Sequence, residues 1–121
     1  MTSYVGSESS APIDTADVRQ VLFACPHFQI VVMNLAPGED IGREQHATLD
    51  QFLRVEQGEG DVVFDDAEHH RLRDGDAILV PAGIWHTVIN TSSSVPLRLH
   101  TLYSPPRFAR PAVHATTVPV R

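Results

Sequence analysis

Four side chains in this sequence are of the types that bind a divalent cation, and their spacing lets them meet: Glu44, His46, Gln51 and His86. Glu44 and His46 are two apart, so on a strand both point to one face. Gln51 lies at an odd offset from them and rejoins that face only if a turn or bulge intervenes. Ala47-Thr48-Leu49-Asp50 offers one. His86 follows Pro81-Ala82-Gly83, a turn that starts a new strand. Two imidazoles, one carboxylate and one amide oxygen suit a borderline or hard ion better than a soft one, and two His with one carboxylate form the facial triad of non-haem Fe(II) sites. Fe(II), Mn(II), Ni(II), Co(II) and Zn(II) all fit the set. Four ligands on a six-coordinate ion leave two positions for water or substrate. Gln51 either binds through its amide oxygen or hydrogen-bonds a metal-bound water.

The elements that must position these residues read as strands. Residues 1–16 are polar and Ser-rich with no apolar pattern and are expected to form a flexible N-terminal arm. A single domain follows over 17–121. Val21-Leu22-Phe23 and Phe28 to Leu35 are rich in β-branched and aromatic residues. Gln51 to Val55, Asp61 to Phe64, Ala77 to Val80, His86 to Ile89 and Leu97 to Tyr103 follow, each bounded by Gly, Pro, Asp or Asn. Only Asp14 to Leu22 offers a weak helical turn. Many short strands at regular spacing predict an all-β sandwich or barrel. The tail over 104–121 carries Pro105, Pro106, Pro111 and Pro119, so it is expected to pack on the barrel rather than form a central strand.

The chain is 121 residues long with a net charge of −6, and all nine of its basic residues are Arg. An acidic surface argues against nucleic acid or anionic membrane as the main partner. Nothing approaches the roughly 20 apolar residues that span a bilayer. Residues 1–10 do not read as a secretory signal, so none is expected there, and the one cysteine, Cys25, excludes an internal disulfide framework. A cytoplasmic location is expected, with Cys25 as a small buried hydrophobe. No nucleophile elbow, P-loop or dinucleotide fingerprint is present.

The chain resembles the cupin superfamily, whose two motifs are G-x5-H-x-H-x3,4-E-x6-G and G-x5-P-x-G-x2-H-x3-N. The first stands here as Gly38-x5-Glu44-x-His46-x4-Gln51-x6-Gly58; the second is complete as Gly75-x5-Pro81-x-Gly83-x2-His86-x3-Asn90. The 16 residues between Gly58 and Gly75 are similar to the short spacer of small, single-domain, RmlC-like and mannose-6-phosphate-isomerase-like cupins. The resemblance implies a small antiparallel β-barrel, the double-stranded β-helix or jelly roll, with one divalent metal inside. It also implies a small-molecule substrate or ligand. Two positions depart from the pattern: Glu44 stands at the usual first His and Gln51 at the usual carboxylate. The carboxylate has moved rather than vanished, so the ligand charge stays at −1.

The resemblance to sugar-isomerase-like cupins implies isomerisation or related carbonyl chemistry, with the metal as Lewis acid, as the first expectation. Fe(II)-dependent oxygen chemistry and a non-catalytic, metal-supported binding module are the alternatives. His100, Tyr103 and His114 are the candidate proton carriers. Plainer roles suffice elsewhere. Gly58, Gly75 and Gly83 permit turns, Asn90 hydrogen-bonds backbone near a strand end, and His69-His70 sits in a charged, exposed hairpin. Trp85, adjacent to His86, is expected on the opposite face. Phe52 alternates outward from Gln51 and Leu53, and an exposed aromatic on a strand needs cover from a two-fold partner or the N-terminal arm. The resemblance to small cupins, which commonly pair, makes a homodimer the expectation.

Overall fold

A computed structural model describes residues 19–108 and 118–119. The expected arm over 1–16, His114 and most of the tail beyond 108 lie outside the described residues. Nine strands run in order: β1 (Arg19–Ala24), β2 (Gln29–Leu35), β3 (Asp50–Gln57), β4 (Gly60–Phe64), β5 (Glu68–Leu72), β6 (Ala77–Val80), β7 (His86–Asn90), β8 (Leu97–Ser104) and β9 (Val118–Pro119). No helix occurs among the described residues. The helical turn expected over Asp14 to Leu22 is corrected to that extent: Arg19 to Leu22 belong to β1, which pairs antiparallel with β2. A weak local period yields there to a neighbour's unpaired backbone edge.

All pairings are antiparallel. One sheet has the order β6-β3-β8-β2-β1-β9 and the other β5-β4-β7. Alternation decides which side chains enter. On β3, Gln51, Leu53 and Val55 are buried while Phe52 and Arg54 are exposed. On β7, His86, Val88 and Asn90 are buried. One core joins both sheets, with Val31, Met33, Leu53 and Leu99 from the larger meeting Val62, Leu72 and Val88 from the smaller. Full burial of such a side chain contributes about 1.5–3 kcal/mol. The result is the antiparallel jelly-roll barrel that the resemblance implied.

Three features position the candidate site. Residues 38–44 run antiparallel beside β7: Gly38 N–H donates to Asn90 O (3.2 Å), Ile41 N–H to Val88 O (3.1 Å), and Glu44 and His86 exchange two backbone bonds of 2.8 Å each. This sets Glu44 directly opposite His86. Second, the chain bends at Ala47-Thr48 and re-enters the large sheet at Asp50, which returns Gln51 to the interior despite its odd offset. Third, the opposite end of the barrel is tightly drawn. Gly58 adopts φ +109°, and a Cβ there would lie 2.6 Å from Pro96 O; one on Gly60 would collide with Ile89 O. Gly75 and Gly83 also lie at positive φ, as their turns require.

The outer face of the large sheet carries an apolar row. By register, Leu79 faces Phe52, Phe52 faces Leu102, Leu102 faces Ile30 and Ile30 faces Phe23, across five strands. Leu79 is 65% exposed and Phe52 40%. Cys25, expected in the core, is only partly buried, because it lies in the turn between β1 and β2, with its N–H on Phe28 O. His69 and His70 are exposed on β5. Trp85 lies outward under the Arg43 guanidinium, 3.7 Å from the ring centre.

Candidate metal centre

Glu44, His46 and His86 each offer a ligand atom within 4.8 Å of the others. Atoms bound at about 2.1 Å to one ion lie at most about 4.2 Å apart, so this trio needs only a small closing movement to share one. Their chemistry fits an ion for a second reason. Glu44 Oε1, His46 Nε2, His86 Nε2 and Gln51 Oε1 are all buried with no hydrogen-bond partner among the described residues. Such atoms cost about 1–3 kcal/mol each when left unmade, and a cation satisfies them together.

The ligand atoms are oriented by what holds the rest of each side chain. His86 Nδ1 donates to Ile84 O at 3.1 Å, which fixes the tautomer and leaves the Nε2 lone pair free. Glu44 Oε2 accepts from Arg19 Nη2 at 2.6 Å and faces Arg107 Nη2 at 3.3 Å, so Oε1 is the free oxygen. The His46 and His86 ring centres are 5.4 Å apart, and Tyr103 meets His46 edge-on at 5.7 Å. Gln51 Nε2 donates to the Tyr103 hydroxyl at 3.3 Å, and Arg107 Nη1 lies 3.5 Å from that oxygen.

Charge and burial set the protonation states. Burial lowers the His46 pKa below 6.5, helped by the Arg107 charge and opposed by Glu44. The imidazole is thereby kept neutral, the form that binds a metal. Burial raises the Tyr103 pKa above 10.0, so the phenol stays protonated as a potential donor.

The other candidate proton carriers fall elsewhere. His100 is three residues from the inward Tyr103 and lies on the opposite face, with Nδ1 3.9 Å from Glu56 Oε2. It borders the outer groove with Ile30 and Phe52 rather than the cluster. His114 is outside the described residues.

Three residues at this site carried no sequence signal. Arg19 and Arg107 bracket Glu44 from distant segments. Gln29, fully buried, clamps the second of these segments: its Oε1 accepts from the N–H groups of Arg107 (3.2 Å) and Phe108 (3.0 Å), and its Nε2 donates to Phe108 O at 2.8 Å. Phe108 packs on the core and meets Tyr103 edge-on at 5.9 Å. These contacts join residues almost eighty positions apart, beyond the reach of any local spacing rule.

Known proteins share this architecture. Residues 31–103 match the family model described as Cupin domain. The Bacillus subtilis protein YrkC is 46% identical over 103 residues, covering 81% of this chain and 55% of YrkC. The chain spans about half the length of the curated relatives it matches. The crystal structure of BH2720 from Bacillus halodurans is 42% identical with a TM-score of 0.75, covering 81% of this chain and 77% of that one. KdgF from Halomonas sp. is 27% identical with a TM-score of 0.67, over 74% and 80% of the two chains. With the two motifs, the barrel and these likenesses in agreement, the chain belongs to the cupin family.

Proposed function

We propose that this cupin is a metal-dependent enzyme acting on a small oxygen-bearing molecule by isomerisation or related carbonyl chemistry. The observation that carries the reading is the set of four buried ligand atoms on Glu44, His46, Gln51 and His86 that have no hydrogen bond among the described residues. A divalent ion held by Glu44, His46 and His86, with the Gln51 amide oxygen as fourth ligand, supplies Lewis acidity toward a substrate carbonyl or hydroxyl. Arg19 holds the Glu44 carboxylate through Oε2 and presents Oε1. Gln51 has one amide function for each neighbour, its N–H for Tyr103 and its oxygen for the ion. Tyr103, kept protonated and accepting that hydrogen bond, retains its own O–H as a donor and is the proton carrier in this reading.

A second reading, Fe(II)-dependent oxygen chemistry, is favoured by the two-His, one-carboxylate set. A non-catalytic binding module is the third. One experiment separates them. The protein is purified without chelator, its metal identified by elemental analysis, and sugars, keto acids and catechols screened for turnover and oxygen uptake. Oxygen-independent turnover, lost with chelator and restored by one metal, supports the first reading. Turnover coupled to oxygen uptake selects the second, and saturable binding without product selects the module. Protein free of metal after exposure to each of the five candidate ions overturns all three.

The outer apolar row also supports a homodimer built on the large sheet, with Phe52 in the contact. Phe52→Asp is expected to yield a monomer in sedimentation; an unchanged dimer removes this contact. A cytoplasmic site of action accords with the single, unpaired Cys25.

A further inference from the structure

The charge around the centre is unbalanced in a way the metal reading does not explain. Among the described residues, the permanently charged groups that bear on His46 and Tyr103 are Arg19, Arg107 and Glu44, two guanidiniums against one carboxylate, with His86 acting on His46 as well. Gln51 stands where cupins usually carry their carboxylate and is neutral, so Glu44 is the one carboxylate in this balance. One positive charge is therefore in excess before any ion enters, and a divalent ion raises the excess to three. Uncompensated charge in a barrel interior is costly, and it favours an anion that can enter and leave.

The two arginines are not equivalent. Arg19 is 11% exposed and makes a short bond to Glu44. It is a positioning residue. Arg107 is 26% exposed, and its two side-chain polar contacts among the described residues are long, 3.3 Å to Glu44 Oε2 and 3.5 Å to the Tyr103 hydroxyl. Its backbone, by contrast, is fixed by Gln29, and its guanidinium lies 4.8 Å from the Phe108 ring centre. A guanidinium with a firmly anchored base and weakly engaged N–H groups is suited to exchange those contacts for a forked pair to an oxyanion.

We infer that Arg107 is the head-group anchor for a small oxyanionic ligand, a carboxylate or phosphate bound beside Glu44, His46 and His86. The inference deepens the proposed function, because it rests on that site and names the charge of what the site takes.

The test uses the full chain, metal-loaded and metal-free, with glycolate and inorganic phosphate as anionic probes and glycolamide as the neutral counterpart of glycolate. Calorimetric titration is expected to show saturable binding of at least one anion to the loaded protein and at least about tenfold weaker binding of glycolamide. Arg107→Gln is expected to weaken the anion about tenfold or more, and Arg107→Lys to recover part of the loss, with metal content unchanged in both. Comparing the two anions identifies the head group. Equal binding of glycolate and glycolamide with no phosphate binding, or anion affinity unchanged in Arg107→Gln, overturns the inference. Elemental analysis of the same samples keeps the two readings apart. Protein without metal is a failure of the proposed function, whereas loaded protein indifferent to anions is a failure of this inference alone.

Discussion

Gln51 and Asn90 are both wholly buried amides, one toward each end of the barrel, and the fold treats them differently. Asn90 Nδ2 donates to Leu35 O at 3.1 Å and to Val95 O at 2.9 Å, while Oδ1 accepts from Ser92 N–H at 2.9 Å. Every function of that amide is used to hold the chain between β7 and β8 and to tie it to the end of β2. Gln51 spends its N–H on Tyr103 and leaves its oxygen bare, in the company of three other bare donors. His86 and Asn90 even share strand and face, four residues or about 13 Å apart. On that strand the amide at one end has all its polar atoms bonded. At the other end His86 Nε2, like Gln51 Oε1, has no hydrogen bond among the described residues, although Gln29 at the same end is bonded as fully as Asn90. Burial alone does not separate a structural polar residue from a ligand; the state of its hydrogen bonds does.

The largest effect is expected at the satisfied end. Asn90→Ala strands two carbonyls and one N–H and should lower stability by about 3 kcal/mol, with a melting temperature lower by roughly 10 °C. Metal bound per folded molecule should not change. A variant that melts normally but loses its metal would reverse the roles assigned to the two ends.

At the other end the signs are expected to differ. Gln51→Leu removes a partnerless carbonyl oxygen at similar volume, so the metal-free protein should melt no lower than wild type. Metal affinity should fall about tenfold, the scale on which metal-site support residues act. If Gln51→Leu destabilises the metal-free protein as much as Asn90→Ala does, the contrast disappears. Gln51→Glu sharpens it further: a second carboxylate beside the ion should tighten metal binding.

Legibility in the sequence follows the same physics. β2, β3, β4, β6, β7 and β8 are readable because one or both faces enter a core, which writes apolar residues at even spacing. β5 is not, since of Glu68 to Leu72 only Leu72 is buried. The facing of His100 needs the register of β8 against β2 and β3, which pairs His100 with Val32 and Arg54 on the outer side. Glu44, His46 and His86 are legible because two short motifs fix their types and spacing, and the backbone bridge of Glu44 to His86 then brings them together. Arg19, Gln29 and Arg107 are not, because their roles exist only once β1, β2 and the segment after β8 have met.

The smallest expected effect, and the one that distinguishes the two ends without altering either, is the response to pH. Burial, Arg107 and Arg19 all disfavour the His46 imidazolium in the folded chain, and the opposing Glu44 charge does not overcome them. The folded pKa therefore lies below the unfolded value near 6.5. Between those two values the unfolded chain holds a proton that the folded chain does not, so stability rises with pH there. The contribution is fully present above pH 6.5 and is lost as pH falls from 6.5 toward the folded pKa. Melting temperatures of the metal-free protein between pH 7.5 and 5 measure it, and His46→Gln, which cannot titrate, should flatten that slope. Asn90→Ala should keep the wild-type slope at a lower temperature throughout, since the Asn90 amide does not titrate. A slope unchanged in His46→Gln would place the acid sensitivity outside the centre and remove the electrostatic half of the contrast between the two amide-bearing ends.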